Sequence, residues 1–513
     1  MSKIKQSLVQ KDKILVFLSA DFTHFAIAYF LQKKFDCDLY AIIDITNKPK
    51  VFFETQQLIK FKKIWYFHDA IDRNYRISNT DALNKFEEKY ELNLWRNLIN
   101  ERIFYRFFHF HKFSRIEMLS LAEQQLKFFE KILDEIKPDF LMTEAPVLFH
   151  AEILYQMSKK RNVRCLLLSM PKLGGKTLIS EIAYKIDYVE NLENLPFTNR
   201  SAEDIHNYLK KTTPRKVFEK FFKNFSNSKL QMILALMQYL SSSNAHERTH
   251  YTYYGRTKFA VLSFTLKLLF KKKLREFFMA KNLLNDIQIT EPYVYFPMSV
   301  DMERNVLIDA PFYTNQIEII RAIAKSLSAN YRLVVKENPG QIAREWRPIS
   351  DYKEIMSIPN VSLIHPAANG LDLIKNSSLV ISLAGSSPLE AAFHQKPSIV
   401  FGNVIYSLIP SIVKATNVEE LPNLIRKMLT TKTDLVYLNK FIDLVENSTV
   451  NFDLFEFQTL FNNQFYYRGS LFDVNIDEKK LKIFLDDVKE NFGELVDYHI
   501  KKILQHKERM KTN

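Results

Sequence analysis

The sequence predicts an α/β protein of two separate lobes, each a parallel sheet with crossover helices, facing one another across a cleft. Short apolar runs alternate with helical spacings from Ile14 to Ser169, the alternation stops between about Glu190 and Gln288, and it resumes from Tyr293 to Thr430. Strands separated by helical patterns argue a parallel sheet, because parallel neighbours need a crossover connection. A chain of 513 residues is also too long for one ordinary core.

In the first lobe, set at residues 1–190, Ile14 to Leu18, Leu39 to Ile43, Lys63 to Phe67, Phe140 to Thr143 and Val163 to Ser169 read as strands. Phe22 to Lys34 and Phe149 to Lys160 have helical spacing, and a long helical insertion is predicted from about Thr80 to Ile136, closed by Lys137, Pro138 and Asp139. Residues 191–288 read as a helical connecting region with polar turns at Asn224 to Ser228 and Ser241 to Glu247. The second lobe, 289–432, has strands at Tyr293 to Phe296, Arg332 to Lys336, Val361 to Ile364, Leu379 to Leu383 and Pro397 to Phe401. Helices are expected between them, one of them around Trp346 to Met356, and 433–513 reads as a helical tail.

Composition narrows the function. Two cysteines, Cys37 and Cys165, give neither a disulfide framework nor metal-ligand spacing, so free thiols in a reducing compartment are expected. The opening MSKIKQSLVQKDKILVFLSADF has an apolar run far shorter than a signal peptide requires, and no window approaches a membrane span, so a cytoplasmic location is expected. The net charge of +14 calls for an anionic partner. Residues 258–281 set seven basic side chains among Phe, Leu and Met with Glu276 as the single acid. Such a basic amphipathic helix suits an anionic membrane surface at the inner face of a cell membrane, or equally a helix packed on its own domain under lysine stems. No nucleic-acid-binding signature appears, and no nucleic-acid partner is expected.

The chemistry is expected at the carboxyl edges of the two sheets, where open α/β folds bind ligands. After the strand at Leu379 the residues Ala384, Gly385, Ser386 and Ser387 form a tight turn into a helix opened by Pro388, Leu389 and Glu390. Pro388 suits the first turn and a serine the N-cap, so hydroxyls and free N–H groups face a phosphate there, or merely cap the helix. Glu390 suits a ribose, or the helix dipole alone. Lys336 and the Asn338-Pro339-Gly340 turn end another strand, and Lys336 suits a donor phosphate, though Asn-Pro-Gly is also a plain turn signal. His365 ends the next strand at the same edge, where it or Lys336 suits the neutralising of a leaving group as a catalytic candidate, or where a lone strand-end histidine is simply structural. In the first lobe Glu144 ends a strand, where a transfer to a hydroxyl would use a general base; Asp21 and His24 form a second candidate. Lys172 and Lys176 flank a loop that resembles the end of a P-loop, but Met170 stands where its first glycine belongs, so the two lysines suit an anionic acceptor in the cleft instead. His109 and His111 lack partners at metal spacing, and Asp36 and Asp38 precede a strand away from the ligand edge, so no metal site and a metal-independent mechanism are expected.

Six blocks in order, YVYFPMSVDMERN, APFYTNQIEIIRAIAKSL, YRLVVKENPG, Arg344 to Tyr352, IPNVSLIHP and LVISLAGSSPLEAAFHQKPSIVFGNVIY, resemble the capsule polysaccharide biosynthesis proteins from Tyr293 to Leu421. That family includes transferases of 3-deoxy-manno-octulosonic acid (Kdo) with the two-lobed GT-B fold, and the first lobe resembles it only in layout. The resemblance implies two Rossmann-type lobes, the second binding a nucleotide sugar as substrate with no further cofactor. It implies transfer to a capsule or surface polysaccharide or a glycolipid, the donor being one such as CMP-Kdo. The family's Lys-Glu-His-Pro is here Lys336, Glu337, Asn338, Pro339, so its histidine is absent. Its Gly-Thr-Ala-Gly-x-Glu-Ala is Gly385, Ser386, Ser387, Pro388, Leu389, Glu390, Ala391, which keeps a hydroxyl and the acid and loses the second glycine. Its Gly-Lys-Pro-Val, glycine and aromatic are Gln395, Lys396, Pro397, Ser398, then Gly402 and Tyr406. Two other readings share the fold: a nucleotide-sugar epimerase or polyol-phosphate transferase, and a non-catalytic assembly scaffold motivated by Asn338.

Overall fold

The computed structural model describes residues 11–77, 79–212, 229–242, 251–284, 291–343 and 347–512. The first ten residues, the turn at Asn224 to Ser228, most of that at Ser241 to Glu247, and the first residues of the block from Arg344, Trp346 among them, lie outside the described residues.

Two sheets carry the chain. The first contains β1 (Asp12–Leu18), β2 (Cys37–Ile43), β3 (Lys63–Tyr66), β4 (Phe140–Glu144), β5 (Arg164–Ser169) and β6 (Thr177–Ser180). The second contains β7 (Tyr293–Pro297), β8 (Arg332–Lys336), β9 (Val361–Ile364), β10 (Leu379–Ser382), β11 (Ser398–Val400) and β12 (Ile412–Lys414). A late strand, β13 (Thr449–Val450), returns to the first sheet, giving the order β13-β6-β5-β4-β1-β2-β3. β1 to β5 pair in parallel, and β6 and β13 are antiparallel additions at one edge. The second sheet, β12-β11-β10-β7-β8-β9, is parallel throughout. In both, the chain starts centrally, builds one side and crosses to the other, which leaves a topological switch point at β1/β4 and at β7/β10. This is the two-lobed, GT-B-like α/β class the sequence predicts.

The central strands are buried on both faces, as their unbroken apolar runs require. Three features differ from the sequence reading. The single long helix predicted from Thr80 is three: Asp81–Tyr90, Leu94–Asn100 and Arg115–Ile136. Asn93 caps the second through the Arg96 N–H, and Ser114 opens the third with a capping box to Glu117, so local side-chain acceptors break the run. The segment 433–513 is no trailing tail, because β13 joins the first sheet and its helices Leu454–Phe465 and Lys489–Thr512 pack on the helix Thr23–Lys34. Phe461, fully buried, stacks on Phe22 with ring centres 4.7 Å apart. Finally, Leu173, Leu178 and Ile205 share one apolar cluster with Ala384, Leu389 and Phe441, so the two lobes and the returning segment pack against each other.

Candidate functional site

The β10 exit forms the bend seen in the sequence. Gly385, Ser386, Ser387 and Glu390 are partly exposed at the carboxyl edge of the second sheet, while Leu383, Ala384, Pro388 and Leu389 are buried beneath them. The bend is held from below. The Gly385 N–H donates to Ser382 Oγ at 3.2 Å, and the Tyr406 hydroxyl donates to the Gly385 carbonyl. Ser386 is the N-cap of the helix Ser387–Phe393, yet its hydroxyl makes no capping bond and donates to Glu390 Oε1 at 2.9 Å. The two polar groups that the sequence assigned to a ligand therefore face each other across one turn.

Tyr406 requires a correction. The resemblance placed it in contact with substrate, but it is fully buried under the bend, where burial and the charges of Asp309 and Glu390 push its phenol up. Its hydroxyl positions Gly385, and its side chain has no exposed surface.

Next to the bend runs the chain after β11. Gly402 has no room for a side chain: a Cβ there would stand 2.8 Å from the Asp309 carbonyl oxygen and 3.0 Å from the Ala384 Cβ. The Asn403 N–H donates to that same carbonyl at 3.2 Å. The Asp309 carboxylate meets Arg304 at 2.9 Å, and the Arg304 Nε donates to the Pro146 carbonyl of the first lobe at 3.0 Å. Lys172, also of the first lobe and in a left-handed conformation with φ of 64°, donates to Asn305 Oδ1 at 3.2 Å. Burial raises the Asp309 carboxyl against the pull of Arg304 and Lys172, and burial lowers the Lys172 amine. The second loop lysine, Lys176, lies elsewhere, paired with Glu446 at 2.8 Å.

Between the lobes lies a cavity of about 250 Å³ lined by Arg96, Glu101 and Glu152 of the first lobe and Arg304, Asp309 and Asn403 of the second. Burial raises the Glu152 carboxyl, with Arg304 and Arg96 opposing. Asp309 and Asn403 belong to both the wall of this cavity and the surroundings of Gly402, which touches Ala384 at the foot of the bend, while Gly385, Ser386, Ser387 and Glu390 do not line the cavity.

The other predicted residues sit further along the edge. Lys336 ends β8 and is buried, and His365 follows β9, half-buried. His365 Nδ1 accepts from the Ala367 N–H at 3.1 Å; burial and then the Lys336 charge lower its pKa, which favours the neutral ring. In the order β10-β7-β8-β9 these two stand two and three strands from the bend, roughly 10 and 14 Å at the usual strand spacing. Asn338 Oδ1 accepts from the Gly340 N–H at 2.8 Å, which shapes the turn. The neighbouring Glu337 is fully buried, bonded to Arg347 and, at 3.0 Å, to the Tyr352 hydroxyl; Arg347 also reaches Asp301 at 3.0 Å. This buried network, fixing the loops after β7 and β8, was not anticipated.

In the first lobe Glu144 ends β4, its Oε1 accepting from Gln458 of the returning segment at 3.2 Å. Burial and then the Asp21 charge hold its carboxyl well above the usual range. Asp21 accepts from Ser19 Oγ and the Thr23 N–H, both at 2.7 Å, and His24 is buried, its pKa lowered by burial to about 4. A second cluster went unseen. Asp44 after β2 receives His68 at 2.8 Å and His150 at 2.9 Å on its two oxygens, and His150 Nδ1 lies 3.2 Å from the Tyr251 hydroxyl. Asp44 was readable as an acid at a strand exit, but its partners are distant in sequence. His109 stacks on Phe264 with ring centres 4.9 Å apart, and His111 meets Glu117 at 3.2 Å.

Two facing Rossmann-type sheets with a polar cleft between their carboxyl edges define a GT-B-type protein. Residues 198–421 match the family model described as "Capsule polysaccharide biosynthesis protein", which bears out the resemblance drawn from Tyr293 to Leu421 and extends it into the connecting helices. No curated protein matches the chain. Among solved structures it is similar to the UDP-GlcNAc 2-epimerase of Methanocaldococcus jannaschii in complex with UDP-GlcNAc and UDP, at 13% identity over 85% of this chain and 99% of that one, with a TM-score of 0.26. It is also similar to the Thermosulfurimonas dismutans β-Kdo 2,7-transferase KpsC, at 12% identity over 57% of this chain and 78% of that one, TM-score 0.26.

Proposed function

We propose that the protein is a glycosyltransferase that moves a sugar from a nucleotide donor, such as CMP-Kdo, to a capsule or surface polysaccharide or a lipid-linked acceptor. The observation that carries this reading is the part-exposed Gly385–Ser387 bend at the carboxyl edge of the second sheet, entered through Ala384, which lies against Gly402 and so next to Asp309 in the wall of the inter-lobe cavity. The family match over 198–421 supports the substrate class.

On this reading the donor phosphate lies at the bend, where the Ser386 and Ser387 hydroxyls donate to it and Lys172 and Arg304 supply positive charge from beside Asp309. Glu390, released by Ser386, accepts from the ribose. Lys336 and His365, further along the edge, meet the other end of an extended donor. The acceptor enters from the first lobe, and Glu144, whose surroundings raise its proton affinity, takes the proton of the attacking hydroxyl.

Replacing Ser386 and Ser387 together by alanine should abolish donor binding, read calorimetrically with CMP and UDP nucleotides, while both side chains are exposed enough for the fold to survive. Unchanged affinity would remove the assignment. Turnover of a nucleotide sugar without any acceptor would overturn transfer in favour of epimerisation.

A further inference from the structure

Two helices outside the cleft expose apolar faces that the transfer chemistry does not use. In the helix Lys258–Asn282, Phe259 is 83% exposed, Leu266 68%, Phe270 66% and Phe277 71%. Their spacing of i, i+7, i+11 and i+18 stacks them along one face, with Leu274 beside them. Lys267, Lys273 and Lys281 flank that stripe at helical spacing, and all three are exposed. The opposite face is spoken for: Phe264 packs on His109 and Phe110 of the first lobe, and Phe278 and Met279 pack into the second, so the helix spans both lobes.

The helix Lys229–Ser241 repeats the pattern without the charge. Leu230, Ile233, Leu234 and Met237 lie at i, i+3, i+4 and i+7 and are 41–63% exposed, and no acid or base follows Lys229 in the helix. The two helices meet where Lys258 Nζ donates to the Leu240 carbonyl at 2.7 Å. Soluble proteins seldom expose apolar surface contiguously on this scale without a partner for it. Among the described residues no helix is long and apolar enough to cross a membrane.

We propose that these two helices form one docking surface for an anionic lipid bilayer, the basic helix supplying charge attraction and the Lys229–Ser241 helix supplying apolar insertion. Charge decides against a second copy of the chain as occupant. The exposed Lys267, Lys271, Lys273 and Lys281 of the basic helix, on a chain of net charge +14, would face their own kind across a self-interface. An anionic lipid surface matches the charge and accepts the aromatic and aliphatic side chains together. The inference goes beyond the transfer reading and does not depend on it.

The full-length protein should float with vesicles of phosphatidylcholine and phosphatidylglycerol mixed at roughly three to one and stay behind with phosphatidylcholine alone. The triple variant Lys267→Glu, Lys271→Glu, Lys273→Glu should lose at least about tenfold in partition, because each exposed lysine adds attraction near the surface. Replacing Leu230, Ile233 and Met237 by serine should leave weak binding that disappears in high salt, because the remaining attraction is screened. All these side chains are exposed, and unchanged melting curves and nucleotide affinity would show that fold and cleft persist. Failure of the native protein to bind anionic vesicles at low salt would overturn the proposal. So would indifference to lipid charge, or a native dimer that the serine variant alone converts to monomer without vesicle binding.

Discussion

At the scale of single residues, Gly402 shows how closely the bend after β10 depends on its neighbours. A methyl group there meets the Asp309 carbonyl oxygen at 2.8 Å, and that oxygen cannot retreat without losing the Asn403 N–H. Gly402→Ala should cost about 1–3 kcal/mol of stability, the usual range for overpacking, and should weaken nucleotide binding because Ala384 shifts with it. Denaturant melts and calorimetry would check both; an unchanged midpoint would show that the Asp309 loop yields freely. The Asp44 cluster makes a second case. Burial resists ionisation of Asp44, but the His150 and His68 bonds hold its carboxyl well below its ordinary value of 3.8. Burial likewise lowers His150, but the Asp44 charge outweighs it and raises the imidazole above 6.5. The Asp44 contribution is therefore present above its unfolded value and is lost as pH falls through the depressed folded one. The His150 contribution is complete below about 6.5 and is lost as pH rises through its raised folded value. Asp44→Asn should cost about 3–5 kcal/mol near pH 6, as expected when one partner of a buried pair is removed, and should flatten the decline of melting temperature toward alkaline pH. A variant that keeps that decline would place its origin elsewhere.

At the scale of elements, the strands buried on both faces were legible because continuous apolar runs mark them. β8 and β9 begin and end where the sequence puts them, and β1, β4 and β7 differ by a residue or two at their ends. The strands that local pattern does not mark, β6, β12 and β13, are short; β12 and β13 are edge strands and β6 lies just inside β13, where pairing across the fold outweighs local pattern. The long helix predicted from Thr80 failed for the opposite reason: its apolar spacing is real, but Asn93 and Ser114 offer the backbone local acceptors, and the Ser114-to-Glu117 box was itself readable. The candidate site divides in the same way. The placement of Ser386, Ser387 and Glu390 at the sheet edge was legible because a strand, a small-residue turn and a proline-opened helix lie consecutively in the chain. The Arg304–Asp309 pair carries no such pattern, and although the loop of Lys172 stands out in the sequence, only the meeting of the two lobes brings that lysine to Asn305 and Asp309.

At the scale of the molecule, the returning segment decides whether the first lobe exists at all. Its Phe461, Phe457, Phe484 and Phe492 belong to the same buried cluster as Phe22, Phe25 and the faces of β1 and β2. Without them the side of the helix Thr23–Lys34 turned away from the sheet, and the sheet beside β5 and β6, would lose their cover. The segment also delivers Gln458 to Glu144, so the tail that looked separate in sequence reaches the candidate base. A chain ended at Ser448 should therefore aggregate or stay unfolded, as judged by sedimentation and near-ultraviolet circular dichroism. Phe461→Ala in the full chain should cost about 3–5 kcal/mol, the range for truncating a large buried ring, and the stacked partner Phe22→Ala should couple to it by roughly 1 kcal/mol in a double-mutant cycle. A soluble, cooperatively melting chain 1–448, or additive effects of the two alanines, would mean that the segment merely rests on a lobe already complete, and the link from its helices to Glu144 would carry no structural weight.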